Sequence, residues 1–269
     1  MNAEHIESKF TAMGARFRTR IVPRSRRTSA SYAMDIRSDR RGEFFELRVP
    51  QNLSDKLDVN VLQARPRERH LLLMVRRTQS EEQPDRFLCG YDERDWFVAA
   101  VPDRVSSVND AMESLKPAEA QAAQVQSGLP PRECNRRKNR AFRRQGEWFF
   151  VPAAELQPDP KLILRNEPIR RGRGKPHIVE ELYREGGTLV YVCFRHPNGV
   201  TEAEYRELMR TDPARTKWGW RRMQRDAAVY ARGAIRHPDH RTIWLPFWHR
   251  VLMNTETRSR TMQQVAFLD

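Results

Sequence analysis

Cysteine is scarce in this chain: Cys89, Cys134 and Cys193 are the only three in 269 residues. They are widely spaced, odd in number and form no C-x-x-C pair. That argues against a cysteine-based zinc site and against a disulfide framework, and they read as reduced thiols of a cytoplasmic protein. Long apolar runs are missing too. Nothing approaches the roughly 20 residues required to cross a bilayer. The first twenty residues, "MNAEHIESKFTAMGARFRTR", have no apolar signal core and carry Glu4 and Glu7, so neither membrane insertion nor secretion is expected. No Walker loop, GxGxxG, HExxH, kinase, hydrolase-elbow or zinc-finger spacing occurs, and the sequence indicates no cofactor. Lysine is rare, seven against forty-two arginines.

What is present is a globular composition: 31% charged, 39% hydrophobic, with six Trp and twelve Phe as bulky core material. The net charge is +14 and the isoelectric point near 10.4. Its distribution is uneven. Residues 1–28 hold seven cations against two acids, and residues 29–115 hold thirteen against sixteen. Residues 116–175 hold fourteen against six, leaving a net +4 for residues 176–269. A base-composition bias raises arginine everywhere, but it does not empty one folded stretch of net charge. Grouped positive charge attracts polyanions.

The apolar pattern predicts an α+β protein of two mixed units, each an antiparallel-rich sheet with a few helices, joined by a basic linker. Residues 1–28 read as a basic arm with a short helix through Ile6, Phe10 and Met13. Residues 29–115 read as a mildly acidic sheet domain. There "SYAMDIRS" alternates, "HLLLMVRR" has the continuous apolar character of a central strand, and "RFLCGYDERDWFVAAVP" is two strands around an acidic turn. Residues 116–175 form a Pro/Arg-rich linker with one strand at 147–151. Residues 176–269 form a C-terminal α+β domain ending in a β-hairpin. Within it, "KPHIVEELYREGG" reads as a helix started by Pro176 and stopped by Gly186-Gly187. "TLVYVCFRHPNG" is an interior strand ending in a Pro-Asn-Gly turn, and Thr201 with Glu204 makes a capping box.

Histidines gather late in the chain, five of seven beyond residue 176. "RHPDH" follows "VYARGAI" as "RHPN" follows "VYVCF", so His237, Pro238, Asp239 and His240 are explained by a hairpin tip alone. His249 shares strand parity with Phe247, Val251 and Met253, as a core histidine would. The alternative is a metal-dependent phosphodiesterase or nuclease using His237, Asp239, His240 and His249, helped by His177, His196 or Glu180. Zinc catalysis needs about three protein ligands and an open position, and imidazole also serves as a general base. H-x-x-H across a proline turn lacks the one-face spacing that gives HExxH its specificity.

The basic segments point elsewhere. Arg132, Arg136, Arg137, Lys138, Arg140, Arg143 and Arg144 crowd thirteen residues, with only Glu133 opposing. If about six of them met phosphates, affinity would fall roughly a thousandfold between 50 and 200 mM salt. Arg170, Arg171, Arg173 and Lys175 add a second cluster among Gly172 and Gly174. In "KWGWRRMQR", Lys217, Arg221 and Arg222 surround Trp218 and Trp220, which either stack unpaired bases or lie buried beneath a basic rim. The expectation is a nucleic-acid-binding protein, RNA or DNA, that grips the phosphate backbone through these segments. A docking module for an acidic protein partner is the third reading, and no membrane role is expected.

Overall fold

The computed structural model describes residues 3–23, 31–171 and 174–256. The chain makes two compact units, the first built mainly on residues up to Gln121 and the second on Arg137–Met253. Both follow the α+β pattern, antiparallel sheets with a few helices. No described helix is long and apolar enough to cross a membrane.

In the first unit, α1 (Ala3–Ala12) places Ile6 and Phe10 on one face one turn apart, and both are buried together with Met13. The strands β1 (Phe17–Val22), β2 (Ala33–Asp39) and β3 (Gly42–Pro50) follow. They form a sheet in the order β1-β3-β2, with β1 parallel to β3. A four-stranded meander comes next: β4 (Leu57–Arg65), β5 (His70–Arg77), β6 (Asp85–Asp92) and β7 (Asp95–Val101). β5 is interior, and its continuous apolar run serves two faces. Leu71, Leu73 and Val75 join the core of α1, β1 and β3. Leu72 points to the opposite cluster, with Leu88, Ala99 and Val108 and Ala111 of α2 (Val108–Ser114). Two helices, α3 (Ala118–Gln126) and α4 (Pro131–Cys134), follow in the chain.

The second unit contains β8 (Arg143–Gln145), β9 (Trp148–Pro152), β10 (Leu164–Ile169), β11 (His177–Glu185), β12 (Thr188–Cys193) and β13 (His196–Thr201). After these come α5 (Glu202–Thr211), β14 (Arg221–Arg225), β15 (Ala228–Arg236) and β16 (Ile243–Met253). A six-stranded sheet runs β10-β11-β15-β16-β9-β8, and a three-stranded one β13-β12-β14. The larger sheet buries Trp148, Phe150, Ile169, Val179, Leu182, Ile235, Leu245 and Val251 in one cluster. β15 and β16 pair antiparallel, as the hairpin pattern predicts. Thr201 and Glu204 make the reciprocal capping box of α5.

Two expectations change. Residues 177–185 are a strand, not a helix, paired on both edges with β10 and β15. A bulge between Val179 and Glu181 shifts the side-chain alternation, so that Val179 and Leu182 both reach the core although three residues apart. That spacing imitates a helical face. The first "RHPN" is not a turn either: the tip falls at Phe194-Arg195, and His196 opens β13. Only the second, "RHPD", leaves its strand for a loop.

Candidate functional site

The loop after β15 and the start of β11 meet because Ile178 pairs with Arg236. This register sets His177 beside His237 and His240. One potential ligand atom from each of the three histidines lies within 4.8 Å of the others. The rings are 4.2 Å (His177–His237), 4.5 Å (His237–His240) and 5.5 Å (His177–His240) apart, with planes within 26° of parallel. His177 is 1% exposed, and neither of its ring nitrogens has a hydrogen-bond partner among the described residues. Burial, then the neighbouring His237 and His240, push its pKa down to about 3.

The β8–β9 turn closes this cluster. Gly146 has φ +56°, and a Cβ placed there would lie 2.8 Å from His240 Nε2 and 3.5 Å from His177 Nε2. Both Nε2 atoms therefore face a position that only glycine leaves open. Gln145, buried, donates its amide to the Ile235 and Arg241 carbonyls at 3.3 and 2.6 Å. Its Oε1 and the Trp148 Nε1 are buried without partners among the described residues. The His237 ring is held by the Asp239 amide, which donates to its Nδ1 at 3.1 Å, and by the Lys175 backbone. Asp239 itself is taken up by Lys175, both carboxylate oxygens accepting from Nζ at 2.8 Å. That ammonium is the main reason the Asp239 carboxyl sits below its usual range. Burial is the first cause lowering the His237 pKa, while the charges of Asp239 and Glu147 pull the other way.

Of the four residues in the hydrolase expectation, then, His237 and His240 come together and are joined by His177. Asp239 is an ion-pair partner, and His249 serves the core. His249 is 2% exposed, lies against the Phe247 ring at 4.6 Å and has Nδ1 2.7 Å from the Phe247 carbonyl oxygen. Burial is the first cause of its lowered pKa, partly offset by that carbonyl and reinforced by Arg143. The sign follows. An unfolded histidine titrates near 6.5, so below that pH the unfolded chain holds more protons than the folded one. The stability is whole above about 6.5 and falls as pH drops toward the folded pKa. The urea midpoint should therefore decrease from pH 7.5 to 5, and His249→Gln should flatten that decrease. Equal slopes in both proteins would refute this role.

Cationic segments divide differently. Arg132 and Arg136 belong to the first unit, and the run from Arg137 onward to the second. Arg132, on α4, lies 4.0 Å from Glu133 with its side chain 82% exposed. Lys138 bridges to Arg143, whose guanidinium donates to the Trp244 carbonyl. The Arg144 amide donates to the Arg137 carbonyl. Arg140 and Arg170 are exposed and Arg171 is half-buried; Arg173 lies outside the described residues.

An aromatic and cationic surface lies on the small sheet. Phe194, at the β12–β13 tip, is 97% exposed. Next to it in sequence, Arg195 stacks over Trp218 at 4.4 Å. Trp218, Trp220 and His196 stack nearly parallel, 5.4 to 6.1 Å apart. Tyr205 of α5 meets Trp220 edge-on and stacks on Tyr191 at 4.0 Å. Both tryptophans are half-buried, between the two expected extremes. Trp220 Nε1 donates to the Arg215 carbonyl at 2.8 Å. Arg195, Lys217, Arg221 and Arg222 are exposed, and no carboxylate among the described residues pairs with them. Nothing in the sequence singles out Phe194 and Arg195, since "CFRHPNG" reads as a strand end and turn. Comparison with protein-family profiles, curated proteins and solved structures finds no match to this chain.

Proposed function

We propose that this protein binds single-stranded or unpaired nucleic acid, with the small sheet of the second unit as the gripping surface. The observation that carries the reading is Phe194, bare at a hairpin tip beside the Arg195–Trp218 stack. An apolar ring exposed to water next to a fixed guanidinium–indole pair suits the flat face of a base. Every base has such a face, so stacking of this kind tolerates any sequence. Arg195, Lys217, Arg221 and Arg222 supply charge for the adjoining phosphates, and their lack of carboxylate partners among the described residues makes that charge available. The excess of +14 over the whole chain adds non-specific attraction.

This moves the centre of the interaction away from residues 132–144, where the Arg143 guanidinium donates to the Trp244 carbonyl and Arg132 lies beside Glu133. It also changes the expected salt dependence. Four phosphate contacts on a single strand, at a slope of about −0.7 each, give a loss of about fiftyfold between 50 and 200 mM salt. Anisotropy titrations of labelled single-stranded DNA, RNA and duplex DNA across that range provide the test. The expected order places the single strands above the duplex. Binding that ignores salt, or that prefers duplex, would refute the reading.

A further inference from the structure

We infer that His177, His237 and His240 form a binding site for one divalent metal ion of the zinc class, held by imidazole nitrogen. Three arguments converge on it. First, the three side chains come from two segments about sixty residues apart in sequence, and they meet with one nitrogen each inside 4.8 Å. Second, His177 is buried with both nitrogens unpartnered. A buried polar group without a partner costs free energy that an aromatic hydrocarbon at the same place would not. A core stack needs only a phenylalanine there; a ligand needs the nitrogen. Third, the space over the Nε2 atoms of His177 and His240 is kept open by Gly146, where a methyl group would come within 2.8 Å of one of them.

The donor set selects the ion. Imidazole suits zinc, copper, nickel and iron, whereas magnesium and calcium require oxygen ligands. The nearest carboxylate in sequence, Asp239, is occupied by Lys175. Zinc–nitrogen bonds of about 2.0–2.1 Å with tetrahedral angles bring ligand atoms to about 3.4 Å apart, so closing the site takes side-chain shifts of about an ångström. His237 has contacts to give up. Its ring is tied to Asp239 and Lys175, and coordination displaces one of those contacts. Three protein ligands leave a fourth position for water, the arrangement of zinc sites that polarise a bound molecule rather than brace a fold.

The metal site and the nucleic-acid surface are separable. β12 leaves β11 at its Glu185 end and β14 enters β15 at its Ala228 end, while the histidines sit at the opposite ends, beside Ile178 and Arg236. Nine residues of strand place about 26 Å between the histidines and the point where the chain leaves β11 for the small sheet.

The test uses the full chain stripped with a chelator and then titrated with Zn²⁺, Co²⁺ and Mg²⁺. One Zn²⁺ per chain should bind and raise the melting temperature. Co²⁺ should give the visible absorption of a tetrahedral nitrogen-ligated ion, and Mg²⁺ should do neither. His240→Ala, at a half-buried loop position, should lower Zn²⁺ affinity beyond the about 10–100-fold cost of disturbing outer contacts to a metal. His249→Gln should keep stoichiometry and affinity. If His177→Ala fails to fold, His240→Ala and His237→Ala carry the same comparison. Absence of Zn²⁺ uptake by the parent chain, unchanged affinity in His240→Ala, or equal binding of Mg²⁺ would each overturn the assignment.

Discussion

Replacing Phe194 and Trp218 together by alanine should weaken binding to a single-stranded oligonucleotide by about 2–6 kcal/mol, since each base–aromatic stack contributes about 1–3. The two positions differ in what else they do, which makes the experiment interpretable. Phe194 is 97% exposed, so its removal takes nothing from the core, and Phe194→Ala alone should lose one stack at unchanged melting temperature. Trp218 also supports Arg195, His196 and Trp220, so its loss loosens the guanidinium as well as the stacking surface. Anisotropy at one fixed salt concentration, read beside thermal unfolding, separates the contributions. A doubly substituted protein with parental affinity would place the nucleic acid elsewhere or nowhere.

The largest effect on stability is expected at Trp148. Its side chain is wholly buried, lies in the core of the six-stranded sheet and meets the His177 ring edge-on at 6.2 Å. Trp148→Ala should cost about 3–5 kcal/mol in urea unfolding, through lost transfer energy and the cavity left behind. Trp148→Phe should cost less than half of that. It keeps most of the apolar volume and removes an indole N–H that has no partner among the described residues. If phenylalanine is as damaging as alanine, that N–H holds a bond of its own, and the cost of the polar atom rather than the volume decides the result.

Where structure followed from local pattern, it was legible in the sequence. The alternation of Tyr32, Met34 and Ile36, the unbroken apolar run of β5 and the Thr201–Glu204 box each contain their own explanation within a few residues. The candidate metal site does not. Its histidines meet only through the pairing of β11 with β15, and the bulge after Val179 disguised β11 as a helix by placing core residues three apart. A helix over residues 177–185 gives His177 no reason to approach the "HPDH" loop. Gly146 carried no signal at all, since its role is the absence of a side chain beside rings contributed from elsewhere. The aromatic face was half visible. Composition marked Trp218 and Trp220, but the turn at Gly219, which takes a left-handed conformation at φ +68°, sets how the two rings lie.

At the junction of β11 with β12 the chain leaves the large sheet, and between β14 and β15 it returns. A Cβ on Gly187 would sit 2.9 Å from the Ala227 backbone, so departure and return run side by side. Residues 186–227 thus form an insertion between β11 and β15, which pair with each other from Ile178–Arg236 to Glu185–Ala228. Segments whose ends lie this close can be gained, lost or exchanged with little disturbance to the host. A short turn in place of the aromatic appendage should accordingly leave the histidine-bearing scaffold able to fold.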